Sequence, residues 1–244
     1  MSLARLPKVG GLIAQSRGRV AINWNSPLTR GLQFLICGNS FVSVGPYPLV
    51  QQGFAQQAAT ANGLTGRTYW NTGNQWATTA LSTEFAGTKS WTIAMVATPT
   101  AATSDGVLMG TCDSPGGANY DRSMKLNGGM WSAYAWSGGV VACDSVSAAI
   151  MRTDVVVGTI DAVGQAAYCY ASPYRTGTIY SNSVYAQTPG YTGYSTPQFC
   201  VGNASGSNPP SPFPVMHLIL RSATFWTPEM ARAFCLNPWQ VLQQ

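Results

Sequence analysis

Apolar residues gather in short runs, and polar, glycine-rich or proline-rich stretches separate them. Runs of this length read as strands: Leu32–Ile36, Trp91–Thr98, Val107–Thr111, Ser123–Leu126, Met130–Trp136, Asp154–Asp161, Ala166–Ala171, Gln198–Gly202 and Val215–Phe225. The breaks carry strong turn chemistry, as in Asp113-Ser114-Pro115-Gly116-Gly117 and the stretch from Ser205 to Pro212. Trp91–Thr98 is apolar almost throughout, as expected of a central strand covered on both faces. Asp154–Asp161, then Ala162-Val163-Gly164-Gln165, then Ala166–Tyr170 predicts a hairpin. No repeat of fixed period is present.

Past Phe225-Trp226 the period changes. Thr227 is placed to cap a helix, Pro228 suits its first position, and Glu229 falls in the positive first turn. Met230 and Phe234 share a face at i and i+4, and Asn237-Pro238 ends the helix. Met230, Phe234 and Trp239 are expected to close the core.

Composition narrows this picture. Of 244 residues only 9% are charged, against roughly a quarter in soluble domains. The surface must therefore be built from uncharged polar groups and tyrosine, which suits a protein packed against others. Residues 1–30 hold Arg5, Lys8, Arg17, Arg19 and Arg30 and no acid, so the whole net charge of +5 sits there. Such a segment is expected to dock on an acidic or polar protein surface. Nothing in the body continues a basic stripe, so no nucleic acid is expected.

No signal or membrane segment is visible, and the expectation is a protein that crosses no membrane by a standard export route. The six cysteines are widely spaced without zinc-ligand spacing. Cys37, Cys169, Cys200 and Cys235 lie in apolar runs and read as buried free thiols.

Several short motifs resemble, in order, those of laminin-G-like (concanavalin-A-like) domains of the bacteriophage structural type. Ser26-Pro27-Leu28-Thr29-Arg30-Gly31-Leu32 is similar to their opening, and Ser90-Trp91-Thr92-Ile93-Ala94 follows. Gly158-Thr159-Ile160-Asp161 with Tyr168-Cys169-Tyr170 matches half of their hairpin. Ala171-Ser172-Pro173 stands where an Asn-Gly turn is expected. Asn237-Pro238-Trp239-Gln240 resembles their close. The resemblance covers about residues 24–242. It implies an all-β fold: an antiparallel β-sandwich jelly roll with one short C-terminal helix and an extended N-terminal arm. The expected division is a basic arm over residues 1–23 and a sandwich over 24–244. The fold itself implies no chemistry.

Catalysis is not expected. Glycoside hydrolysis by retention needs two carboxylates about 5 Å apart, and neither Glu84 nor Glu229 has an acid within five residues. The single histidine, His217, lies in an apolar run and reads as a core residue rather than a triad member. The Asp113–Asp121 loop fits no calcium pattern and reads as an Asx-rich turn. No metal and no cofactor is expected.

Aromatic residues are the remaining candidates. Trp131, Tyr134 and Trp136 fall together, and seven tyrosines lie between 168 and 194. Tyrosine and tryptophan serve protein interfaces and sugar stacking alike. Tyr185, Tyr191 and Tyr194, placed in loops, are the expected contact residues, together with Arg5, Lys8, Arg17 and Arg19. The function expected is a phage virion structural protein, a capsid decoration or cement protein. Its partners would be the major capsid protein or other virion proteins and further copies of itself. The alternative is a tail-fibre or head-fibre receptor-binding module recognising host saccharide.

Overall fold

The computed structural model describes residues 21–38, 40–43, 49–52, 56–69, 75–78, 90–112, 120–134, 141–185, 198–202 and 212–243. These form two antiparallel sheets and one α-helix. The first sheet runs β14 (Tyr180–Tyr185), β13 (Ala166–Pro173), β12 (Asp154–Asp161), β7 (Trp91–Thr98), β16 (Val215–Ser222), β1 (Leu32–Cys37), β2 (Ser40–Ser43). A hairpin of β4 (Gln56–Ala61) and β5 (Leu64–Tyr69) attaches to β16. The second sheet runs β11 (Val141–Ser147), β10 (Met130–Tyr134), β9 (Tyr120–Asn127), β8 (Gly106–Cys112), β15 (Gln198–Val201), β6 (Gln75–Thr78), β3 (Leu49–Gln52). The all-β sandwich expected from the sequence is the fold observed.

Alternation along β7 explains the layering, because successive side chains point to opposite faces. Trp91, Ile93, Met95 and Ala97 face the second sheet, where they meet Met124, Leu126, Trp131, Ala133 and Phe199. Ala94 and Val96 face the other way, with Val155, Val157, Leu218 and Leu220. That outer face is not left to water. Helix α1 (Pro228–Leu236) and the first and last described segments cover it with Trp226, Ala231, Phe234, Trp239, Val241, Ile22 and Leu28. The first sheet is thus the middle of three layers, and β7 is fully buried, as its unbroken apolar run requires.

The helix start is as the sequence predicts: Thr227 Oγ1 accepts from Met230 N at 3.4 Å, and Pro228 opens the first turn. Its apolar residues, however, do not close the core between the sheets. They build a second core on the far side, where Trp226 and Phe234 sit 5.4 Å apart. Strand β16 ends at Ser222 rather than at Phe225. There the chain turns so that Trp226 N reaches the hydroxyls of Thr92 and Thr159, each at 3.1 Å.

Two glycines permit close approaches. Gly31 has φ +65°, the left-handed region, and a Cβ there would lie 2.7 Å from Thr224 Cγ2. Gly66 lets β5 settle on β16: a Cβ would lie 2.5 Å from Met216 O and 2.8 Å from His217 Nδ1.

Cys169, Cys200 and Cys235 are buried, Cys37 is partly so, and all four are free thiols. Burial pushes the thiols of Cys37 and Cys235 up to about 12, which keeps them protonated and unreactive. No helix among the described residues is long and apolar enough to cross a membrane.

Candidate functional site

The first and last described segments meet on the outer layer. Ile22 and Leu242 form an antiparallel bridge, Asn23 N donates to Val241 O at 2.9 Å, and Gln243 N donates to Ala21 O at 2.9 Å. Ile22 is buried beneath this pairing. The packed body therefore takes in Ala21–Asn23, upstream of the boundary expected at residue 24.

Beside the pairing lies an open cleft of about 490 Å³ lined by Asn23, Asn25, Gln240, Leu242 and Gln243. Four of the five lining side chains are carboxamides. Asn23 is held from both ends: its Nδ2 donates to Gln240 O at 3.0 Å, and its Oδ1 accepts from Asn25 N at 3.2 Å. Gln240 Nε2 donates to Ala233 O at 2.8 Å and to Asn237 O at 2.9 Å. Between the two asparagines in the sequence stands Trp24, 58% exposed and outside the cleft lining itself. A carboxamide offers donors and an acceptor side by side, and an exposed indole offers a flat apolar face. That pairing suits a ligand carrying hydroxyls on one aspect and C–H groups on another. Nothing in such a set performs acid–base chemistry.

The titratable groups elsewhere have structural partners. Asp154 is buried, accepting from Arg152 Nε at 2.7 Å and Trp131 Nε1 at 2.7 Å; burial raises its pKa against the pull of these bonds. Asp105 accepts from Gly128 N and Gly129 N at 2.7 and 3.0 Å, which lowers its pKa. Glu229, fully exposed in the first turn of α1, is lowered by its own backbone N–H and the Thr227 hydroxyl.

His217 is buried in β16, as its apolar run predicts. Carbonyl oxygens only accept, so its Nδ1–H donates to Thr65 O at 3.1 Å. Its Nε2 then accepts from Thr98 Oγ1 at 2.8 Å, Thr98 from Thr153 Oγ1 at 2.7 Å, and Thr153 from Asn62 Nδ2 at 2.9 Å. Burial lowers the imidazole pKa to about 4. Among the described residues, no three His, Cys, Asp or Glu side chains gather to hold a metal.

The residues singled out from sequence separate. Arg5, Lys8, Arg17, Arg19, Tyr191 and Tyr194 lie outside the described residues, as do Glu84, Asp113 and Trp136. Tyr185 ends strand β14, opposite Ala166, and is not a loop residue; its side chain is outside the described set. Trp131 and Tyr134 are buried. Tyr170 is buried with Tyr168 stacked 6.4 Å away, and Tyr174 stands edge-on to Trp239. These aromatics pack. The cleft was missed because Asn23 and Gln240 are 217 positions apart. The one local signal was a tryptophan between two asparagines.

No family model matches the chain, and no curated protein matches it in sequence. Its fold is shared with solved structures at very low identity. The binding domain of botulinum neurotoxin serotype D/C matches with TM-score 0.56 and 9% identity over 85% of this chain and 52% of that one. A structure of botulinum neurotoxin type C, whose cell entry depends on interaction with two ganglioside molecules, matches with TM-score 0.55 and 8% identity, over 84% and 50%. The sialidase of Trypanosoma rangeli matches with TM-score 0.57 and 11% identity, over 97% and 39%. The chain thus spans about half the length of the toxin structures and less of the sialidase. What it has in common with them is an antiparallel all-β sandwich.

Proposed function

We propose that this protein is a non-catalytic binding module that recognises saccharide through the cleft beside the Ile22–Leu242 pairing. The observation that carries the reading is the set of four carboxamides that line the cleft, with exposed Trp24 next in the chain to two of them. Sugars are held by planar polar side chains against hydroxyls and by aromatic faces against C–H groups. The ganglioside dependence of a protein with the same sandwich supports the reading at the level of fold. The structural partners of Asp105, Asp154 and His217 support a role without turnover. The test is a glycan array probed with the wild type, Trp24→Ala and Asn25→Ala. Binding by the wild type that both substitutions reduce is expected. Turnover of a polysaccharide, lost on Glu84→Gln, would overturn the non-catalytic part.

A second reading is the phage capsid decoration protein, attached through Arg5, Lys8, Arg17 and Arg19 and through Tyr185, Tyr191 and Tyr194. It is favoured by the placing of the net charge in residues 1–30 of a body otherwise neutral. Expanded empty capsids should then bind the full chain and reject a version lacking residues 1–20, with binding that weakens as salt rises.

A further inference from the structure

We infer that the cleft selects an uncharged, hydroxyl-bearing sugar over an acidic one, and that Gln240 is the residue that sets this preference. This rests on the saccharide reading above. A glutamine side chain has two N–H donors and one acceptor oxygen. In Gln240 the donors are spent on Ala233 O and Asn237 O. Rotating the amide by half a turn would set its oxygen against two carbonyl oxygens, so the backbone fixes the orientation. What Gln240 brings to the cleft is therefore an acceptor. Asn23 keeps one N–H and one lone pair after its bonds to Gln240 O and Asn25 N.

The field at this place has the same sign. Ala233 O and Asn237 O lie at the C-terminal end of α1, where the helix dipole is negative. None of the five lining side chains carries a positive charge. A carboxylate entering here would lose its water and meet an acceptor at the negative end of a helix. A hydroxyl meets no such penalty. It donates to Gln240 Oε1, and its own oxygen accepts from the amide of Asn25 or Gln243. In this proposal the exposed indole of Trp24, next in the chain to Asn23 and Asn25, takes the C–H face of the ring.

The test compares a neutral oligosaccharide with its sialylated counterpart, using the full chain and saturation-transfer NMR, with Trp24→Ala marking binding in the cleft. The neutral sugar should bind about tenfold or more tightly than the sialylated one. Gln243→Arg, on an exposed side chain, should narrow that gap. Gln240→Glu should abolish binding of the acidic sugar; because this change sacrifices two hydrogen bonds, its melting curve is recorded alongside. Equal or tighter binding of the sialylated sugar, still lost in Trp24→Ala, would sink the preference and leave the saccharide reading standing. No binding of any sugar, or binding indifferent to Trp24→Ala, would sink the saccharide reading itself.

Discussion

Trp239 Nε1 donates to the hydroxyl of Tyr174 at 2.7 Å, joining the end of the chain to the turn after β13. The two rings meet edge to face at 6.3 Å. Trp239 is nearly buried in the outer layer, so its truncation opens a cavity as well as breaking this bond. Trp239→Ala should cost about 3–5 kcal/mol, a large part of a domain's roughly 5–15 kcal/mol. Tyr174→Phe, which removes only the hydroxyl, should cost about 1 kcal/mol. Thermal melts of both variants check this; equal losses would mean that the ring of Trp239 contributes nothing by packing.

The buried histidine makes stability depend on pH. His217 is neutral in the fold, with its pKa lowered by burial from 6.5 to about 4. Between those values the unfolded chain binds a proton that the folded chain refuses. Stability is therefore complete above pH 6.5 and falls as pH drops toward 4, by about 1 kcal/mol per unit in the middle of the window. Denaturant titrations from pH 7 to 4.5 should show this slope. His217→Gln should be less stable at pH 7 and nearly flat over the same range.

Gly66 should tolerate no side chain. A Cβ there meets the backbone oxygen of Met216 at 2.5 Å, which cannot swing aside. Gly66→Ala should push the β4–β5 hairpin off β16 and cost about 1–3 kcal/mol. Amide exchange in Leu64–Tyr69 should quicken while β7 stays protected. Unchanged exchange would show that the hairpin is held elsewhere.

The body begins before residue 24, and this changes where the N-terminal segment can be cut. Removing residues 1–20 keeps Ile22 and its pairing with Leu242, and that version is the reference. Removing 1–22 deletes buried Ile22 and its pairing with Leu242, and should cost about 2 kcal/mol. Two coincident melting curves would show that the pairing of the termini adds no stability.

The strands legible in the sequence are those with a side to bury. Trp91–Thr98 and Asp154–Asp161 were bounded correctly because their Val, Ile and Ala runs end at turn residues. The helix was legible from Thr227-Pro228-Glu229 and the spacing of Met230 and Phe234. Strands β2 to β6, β11 and β14 were not. Gln56–Ala61, for example, is Gln, Ala and Thr, with no alternation of apolar and polar positions, and reads as a loop. Their pairing partners define them, and pairing is long-range information. The candidate site was hidden for the same reason: the cleft exists only once Asn23 and Gln240 are brought together from opposite ends of the sequence.

The bridge between Ile22 and Leu242 has a practical consequence. Both ends of the packed body leave the molecule beside the same cleft. A purification tag or fused reporter joined directly to Ala21 or to Gln243 would sit beside it, and exchanging one of these points for the other would change nothing. A probe belongs at a site outside the cleft lining, such as Val163 in the turn of the β12–β13 hairpin, which is 92% exposed.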